Sequence, residues 1–172
     1  MTYTDTLDAL ATSTEAVLTG LYARWEAAQI TGAQFRILAV AALLRAGARG
    51  VGMADLALAA FLSVDGGRPV PALGLALPAS APARYTAAVA LMLAGAVTPE
   101  SVAVLGRSET LATAQDAYAD GMRQHGVGAW TRVLNAGACE LCHDLAGDVL
   151  PVSADMYHHK GCGCTQRPIT GK

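Results

Sequence analysis

Apolar positions recur every three or four residues over residues 5–30, which is the stripe of one amphipathic helix. Thr31 and Gln34 have the spacing of a capping box, so a second helix is predicted to begin there and to stop near Gly47. The almost wholly apolar residues 53–64 predict a third helix, either buried or covered by a partner chain. The first third of the chain is therefore expected to form three helices.

A run of glycines and prolines breaks the helical pattern over residues 65–80, although several positions there remain apolar. This combination predicts an extended arm that packs on another surface. Pro82 then suits the first turn of a fourth helix, which is expected to end near Gly95.

Beyond the arm the chain changes from a helical to a strand-like period. Thr98 and the proline that follows it predict the N-cap and first turn of a fifth helix, which reaches about Gln124 with Gly106 as a point of interruption. Alternating residues then predict three short strands, over residues 129–134, 148–152 and 165–169.

The composition agrees with a mostly α fold in two parts. The chain is 53% apolar, 15% charged and rich in alanine, which excludes disorder and favours closely packed helices. We expect a helical domain with the arm over residues 1–97, and a long helix followed by a small C-terminal module with β-strands over residues 98–172.

A net charge of -2 leaves no basic surface for strong nucleic-acid binding. No signal peptide is evident, and the apolar runs are shorter than the roughly 20 residues of a bilayer-spanning helix, so no membrane contact is expected.

All four cysteines lie in the small module, in two groups with metal-ligand spacing. Cys139 and Cys142 form C-x2-C, while His159, Cys162 and Cys164 form H-x2-C-x-C. Thiolate and imidazole donors in two such halves match the tetrahedral shell of a structural zinc ion. Five donors for four positions leave two arrangements open. Either three cysteines bind with His159, omitting Cys162 or Cys164, or all four cysteines bind and His159 supports them from outside.

Other uses of these residues were weighed against structural zinc. Buried reduced cysteines are common, and a disulfide is disfavoured without a secretion signal. His143, Asp144 and His158 raise the possibility of a catalytic metal or an HNH-like nuclease, but a full Cys/His shell leaves no open coordination position for water. A thiol oxidoreductase using Cys139 and Cys142 lacks the expected βαβ setting. The sequence therefore favours a protein that is not an enzyme.

The segment from residue 98 onward carries a specific series of motifs. A helix bearing Arg107-Ser108-Glu109 precedes a strand led by Trp130, then the two Cys/His groups with a strand between them, and a final strand. This series resembles the phage Mu F-like head morphogenesis family, the minor capsid proteins of tailed phages. The alanine-rich helices before it are similar to versions found in phages of actinobacteria.

The resemblance implies a virion component that catalyses no reaction. Members of this family are associated with the portal region and the inner face of the head. By resemblance, the chain docks on portal protein or major capsid protein, with at most a weak contact to packaged DNA. It is expected in the phage head or portal region, and in the host cytoplasm during assembly. The arm over residues 65–80 is a hypothetical portal-binding segment.

Overall fold

The computed structural model describes residues 2–157 and 159–170 and is mostly α-helical, with a small C-terminal sheet, as predicted. Met1, His158 and residues 171–172 lie outside the described residues. The elements in chain order are α1 (Tyr3–Glu26), α2 (Gly32–Gly66), α3 (Ala81–Ala94), α4 (Pro99–Gln124), β1 (Ala129–Val133), α5 (Glu140–Asp144), β2 (Val149–Pro151) and β3 (Thr165–Ile169).

Threonine caps begin the three longest helices. Thr2, Thr31 and Thr98 each accept a hydrogen bond from the backbone N–H three residues later, and that residue's side chain accepts one from the threonine N–H. These bonds satisfy donors that have no partner inside a helix. The predicted starts of α2 and α4 are confirmed, including the Thr31 and Gln34 capping box.

The prediction that a helix stops near Gly47 was wrong. Helix α2 runs without a break through Gly47 and includes residues 53–64, so the expected second and third helices are one helix of 35 residues. Gly47 is there because α3 approaches closely: a Cβ at this position would overlap Tyr85 Oη and lie 3.0 Å from Leu77 Cδ1. The glycine serves packing and does not end the helix.

Substitution of Gly47 with alanine is expected to destabilise the fold by about 1–3 kcal/mol, because Tyr85 is fully buried and has little room to move. Gly52 is the matched control on the same helix, since a Cβ there meets nothing within 4 Å. Gly52→Ala is expected to stabilise the protein by about 0.5–1 kcal/mol through helix propensity alone. Urea unfolding of both variants measures the contrast. Equal effects would contradict a packing role for Gly47.

Gly106 likewise does not interrupt α4. A Cβ at Gly106 would lie 3.1 Å from Leu18 Cδ1 and 3.2 Å from the Glu15 backbone, so this glycine lets α4 pack closely against α1. Helix α4 also packs along α2, and it thereby joins the long helices to the C-terminal segment.

The arm packs on its own chain. Residues 67–80 form no helix or strand, and their backbone N–H groups at Leu73, Gly74 and Leu75 donate to the carboxylate of Asp55 on α2 at 2.8–3.0 Å. Leu77 packs against the buried core. The extended, packed segment is therefore residues 67–80, because residues 65 and 66 of the predicted arm belong to α2, and the surface it covers belongs to the helical body.

The three strands form an antiparallel sheet in the order β2-β1-β3, at the predicted positions. Trp130, in the central strand β1, pairs with Leu150 on one side and Pro168 on the other, and its side chain is fully buried. It belongs to a core cluster that also contains Leu58 of α2 and Tyr118 of α4. The small sheet therefore shares a hydrophobic core with the long helices.

The continuity of α2 also bears on the expectation of no membrane-spanning segment. Among the helices that the structure describes, one, α2, is by length and composition long and apolar enough to cross a bilayer, and 44% of its most apolar window is buried inside the protein. The expectation of no membrane-spanning segment was based on separate short apolar runs. In the structure these runs belong to one continuous helix, α2. Helix α2 packs against α1, α3 and α4.

Candidate metal centre

The first pair of cysteines lies at the start of a short helix that the sequence analysis did not predict. Cys139 is the N-cap of α5, with extended backbone angles, and Cys142 lies one turn later. The His143 N–H donates to the Cys139 carbonyl at 3.1 Å, closing that turn. Positions three apart share one face of a helix, so both sulfur atoms face the same neighbours.

A tight turn forms the second group of donors. The Cys162 N–H donates to the His159 carbonyl at 3.1 Å, and Gly161 supplies the positive φ of 76° that the turn requires. Cys164 immediately precedes β3. Val133, at the end of β1, pairs with Thr165, at the start of β3, so the chain that leaves β1 towards Cys139 and the chain that enters β3 after Cys164 meet at one end of the sheet.

The structure brings together all five donors named from the sequence, in two groups that share Cys142. Cys139 Sγ lies 3.1 Å from His159 Nε2, and Cys142 Sγ lies 3.6 Å from the same nitrogen. Cys142 Sγ also lies 3.6 Å from Cys162 Sγ. Within each group, Cys139, Cys142 and His159 or Cys142, Cys162 and Cys164, all ligand atoms lie within 4.8 Å of one another.

Two of these separations match the edges of a tetrahedral metal site, and the third is shorter. With Zn–S near 2.3 Å and Zn–N near 2.0–2.1 Å, a tetrahedron has S–S edges of about 3.8 Å and S–N edges of about 3.5 Å. The 3.6 Å distances from Cys142 Sγ to Cys162 Sγ and to His159 Nε2 are close to those edges. A disulfide needs sulfur atoms about 2.05 Å apart, and the four cysteines are free. The cluster can hold a metal ion.

Burial dominates the electrostatics of the cluster. It raises the pKa of the Cys142 thiol to about 12 and also raises the pKa of Cys162. The pKa of Cys139 is lowered, chiefly by the nearby backbone N–H of Cys142 at the start of α5. Thiolates buried in this way need a nearby positive charge, which a bound cation supplies.

One protein cation already lies against the cluster. Arg132 of β1 is buried, and its Nη1 lies 3.9 Å from both Cys142 Sγ and Cys162 Sγ, while Nη2 donates to the Tyr157 carbonyl at 2.6 Å. The sequence analysis missed Arg132 because a charged residue in a short strand is usually placed towards solvent. The alternation along β1 could have indicated it, because Arg132 lies two residues after Trp130 and therefore on the same inward face of the strand.

Helix α4 holds the second group of donors in position. Gln115 Nε2 donates to the carbonyls of Cys162 and Cys164 at 3.0 and 2.6 Å. Arg107 Nε donates to the Gly161 carbonyl at 3.2 Å, and the Gly161 N–H donates to Ser108 Oγ at 3.0 Å. The turn that carries His159 and Cys162 is therefore fixed to α4 by three side chains.

The residues of the Arg107-Ser108-Glu109 series contact two different parts of the structure. Arg107 pairs with Asp8 of α1, whereas Glu109 lies 3.5 Å from Arg84 of α3. Burial raises the pKa of Glu109, against the opposing effect of Arg84. Arg107 and Ser108 thus secure the candidate metal centre, and Glu109 contributes to the helical body.

Comparison with known protein families, curated proteins and solved structures finds no match for this chain. Its own geometry therefore carries the interpretation. The C-x2-C pair lies on a five-residue helix beside an antiparallel sheet, rather than in a βαβ unit. His143 and Asp144 are exposed and belong to neither donor group, and His158 lies outside the described residues.

Replacing Gln115 with leucine is expected to destabilise the module by about 1–3 kcal/mol, because the Cys162 and Cys164 carbonyls lose a buried donor. Thermal unfolding followed by tryptophan fluorescence in a Trp25→Phe background, where the buried Trp130 is the single tryptophan, would measure the loss. Gln124, at the end of the same helix, provides the control in Gln124→Leu. A loss no greater than that of the control would contradict the positioning role of Gln115.

Proposed function

We propose that the Cys/His cluster holds one structural zinc ion, and that the chain is a non-enzymatic minor component of a tailed-phage head. The observation that carries the first part is the convergence of five nitrogen and sulfur donors beside a sheet too small to bury a core alone. A zinc ion there would fasten α5 and the turn after His159 to β1 and α4.

The distances support a particular ligand set. Cys139, His159, Cys142 and Cys162 are linked in series by the separations of 3.1, 3.6 and 3.6 Å. Cys164 Sγ lies within 4.8 Å of the Cys142 and Cys162 sulfur atoms and also donates to Asn135 Oδ1 at 3.6 Å. We therefore propose the first four as ligands, with Cys164 as a buried neighbour. A full shell of this kind leaves no position for a substrate or an activated water.

The head-protein proposal rests on the resemblance, which the order of the elements carries. Helix α4 with Arg107-Ser108-Glu109, β1, the two Cys/His groups around β2, and β3 follow one another as in the phage Mu F-like series. In this chain Arg107 and Ser108 hold the second Cys/His group, which gives the shared motif a physical reason. Portal protein and major capsid protein are the proposed partners, and the virion the proposed location.

The two parts of the proposal are tested separately. Native mass spectrometry and elemental analysis of the purified chain are expected to find one zinc per molecule. Quantitative proteomics of gradient-purified virions from the phage that encodes the chain is expected to find it in DNA-filled heads. Zinc in a chain that is missing from every head fraction would contradict the head role while leaving the metal site in place.

A further inference from the structure

A groove lies between α1 and α2, away from the metal centre. It has a volume of about 490 Å³, and the residues that line it come only from these two helices: Leu10, Ser13, Thr14, Val17, Ala42, Arg45, Ala46, Ala48 and Arg49. No aspartate or glutamate is among them. The groove therefore combines a mostly aliphatic surface with two positive charges.

The walls of the groove are small and apolar in their chemistry. Thr14 contributes little polarity, because its hydroxyl already donates to the Leu10 carbonyl at 2.9 Å. Ala42, Ala46 and Ala48 leave room for another backbone to come close. Val17 is 46% exposed, although it lies beside this apolar surface. Small residues beside an exposed aliphatic one let the ridge of a second helix pack into the groove, so this surface suits a helix of a partner better than a loop.

The two arginines lack counter-charges. Within residues 2–157 and 159–170, neither Arg45 nor Arg49 makes a hydrogen bond or an ion pair, whereas Arg84, Arg107 and Arg123 each pair with a carboxylate. Arg45 and Arg49 are one helical turn apart, which places their Cβ atoms about 5–6 Å from each other. Two carboxylates one turn apart on a facing helix match that spacing and can each accept a forked hydrogen bond.

We propose that this groove binds an amphipathic helix of a partner protein. The partner helix lays a face of small and aliphatic residues between α1 and α2, and presents two acidic side chains one turn apart to Arg45 and Arg49. This mode of recognition uses an apolar groove for affinity and charge pairs for orientation and register. The proposal does not rest on the zinc site or on the head-protein assignment.

The test uses the full-length protein and a synthetic probe. The probe is a fluorescein-labelled, lactam-stapled helical peptide with an alanine and leucine face and two glutamates four residues apart. Otherwise identical peptides carry glutamine or lysine at those two positions. Fluorescence anisotropy is expected to show saturable binding of the glutamate peptide, at least about tenfold tighter than the glutamine peptide, and weakened by added salt.

Charge reversal separates recognition from folding. The double variant Arg45→Glu with Arg49→Glu is expected to lose the glutamate peptide and to gain the lysine peptide, an exchange that a misfolded protein would not show. Arg36→Glu is the matched control, because Arg36 is exposed on α2 but does not line the groove. Ala48→Phe, which fills the groove, is expected to weaken the binding of the glutamate peptide to the otherwise wild-type protein. It is also expected to weaken the binding of the lysine peptide to the double variant.

Four outcomes would overturn the proposal. Binding that does not saturate, or equal binding of glutamate and glutamine peptides, would show that the groove recognises no acidic helix. Sedimentation of the unbound protein as a dimer that the Arg45 and Arg49 reversals separate would assign the groove to a second copy of the chain. Pelleting with phosphatidylglycerol vesicles, lost in the same variant while the peptide fails to bind, would assign it to an anionic lipid surface.

Discussion

Cys142→Ser is expected to abolish zinc binding and to unfold the C-terminal module, the largest effect of any single substitution in the chain. Cys142 belongs to both donor groups and is 2% exposed, so no other donor can replace it without moving the core. Structural zinc contributes roughly 10–16 kcal/mol of apparent binding free energy in small zinc modules, far more than a small sheet supplies by burial. The variant should therefore keep helical circular dichroism while losing the buried environment of Trp130.

The matched control is Cys164→Ser. Cys164 is as buried as Cys142, but its sulfur donates to Asn135 Oδ1, a bond that a serine hydroxyl can retain. We expect this variant to hold one zinc in native mass spectra, whereas Cys142→Ser holds none. Loss of zinc from both variants would favour a ligand set that includes Cys164. Full zinc in Cys142→Ser would refute the proposed centre.

Zinc binding is expected to strengthen as pH rises from acidic to neutral. Burial raises the pKa of Cys142 and Cys162, so these thiols carry protons in the metal-free protein and must release them when the ion binds. Competition with a chromophoric chelator measures this dependence. An affinity that does not change with pH would mean that the thiols are not the ligands.

Local sequence patterns predicted the helices and strands well, but they did not predict how these elements pack together. The Thr31 capping box and the alternation around Trp130 act over a few residues, and both are confirmed. Gly47 was misread because glycine in a sequence has two meanings, a helix end or a close approach. Only the position of Tyr85, distant in the chain, decides between them.

At the candidate metal centre, too, the local features were predicted from the sequence and the long-range contacts were not. Ligand spacing identified the five donors because metal chemistry constrains residue types within short segments. It did not identify Gln115, which acts from α4 on carbonyls 47 and 49 residues further along the chain. Contacts across that distance depend on the whole topology, and a single glutamine leaves no local signal of them.

The second large effect is expected from Asp55→Asn, which should destabilise the helical body by about 3 kcal/mol, or about 6–12 °C in Tm. Asp55 is 4% exposed, and its two carboxylate oxygens accept the backbone N–H groups of Leu73, Gly74 and Leu75. An asparagine side chain keeps one acceptor oxygen and turns its NH2 towards a donor. At least one arm N–H would then be buried without a partner.

The acid dependence of stability supplies an independent check on the same group. Burial alone would raise the pKa of Asp55, but the backbone N–H bonds from Leu73, Leu75 and Gly74, together with His125, outweigh it and the pKa is lowered. A lowered folded-state pKa contributes stability that is present above the unfolded value, near 3.9, and is lost as pH falls through the folded value. The stability advantage of the wild type over Asp55→Asn should therefore begin to shrink below about pH 4 and disappear only as pH falls through the lowered folded-state pKa.

Asp148→Asn is the control, because Asp148 is exposed and has no partner among the residues that the structure describes. Thermal unfolding of the three proteins between neutral pH and pH 3 should show a gap in stability between wild type and Asp55→Asn that narrows as the pH falls below about 4, with Asp148→Asn following the wild type. A gap independent of pH would mean that Asp55 acts by shape alone. A closing gap would identify one buried carboxylate as the anchor that fixes residues 73–75 to α2, and with them the arm over the helical core.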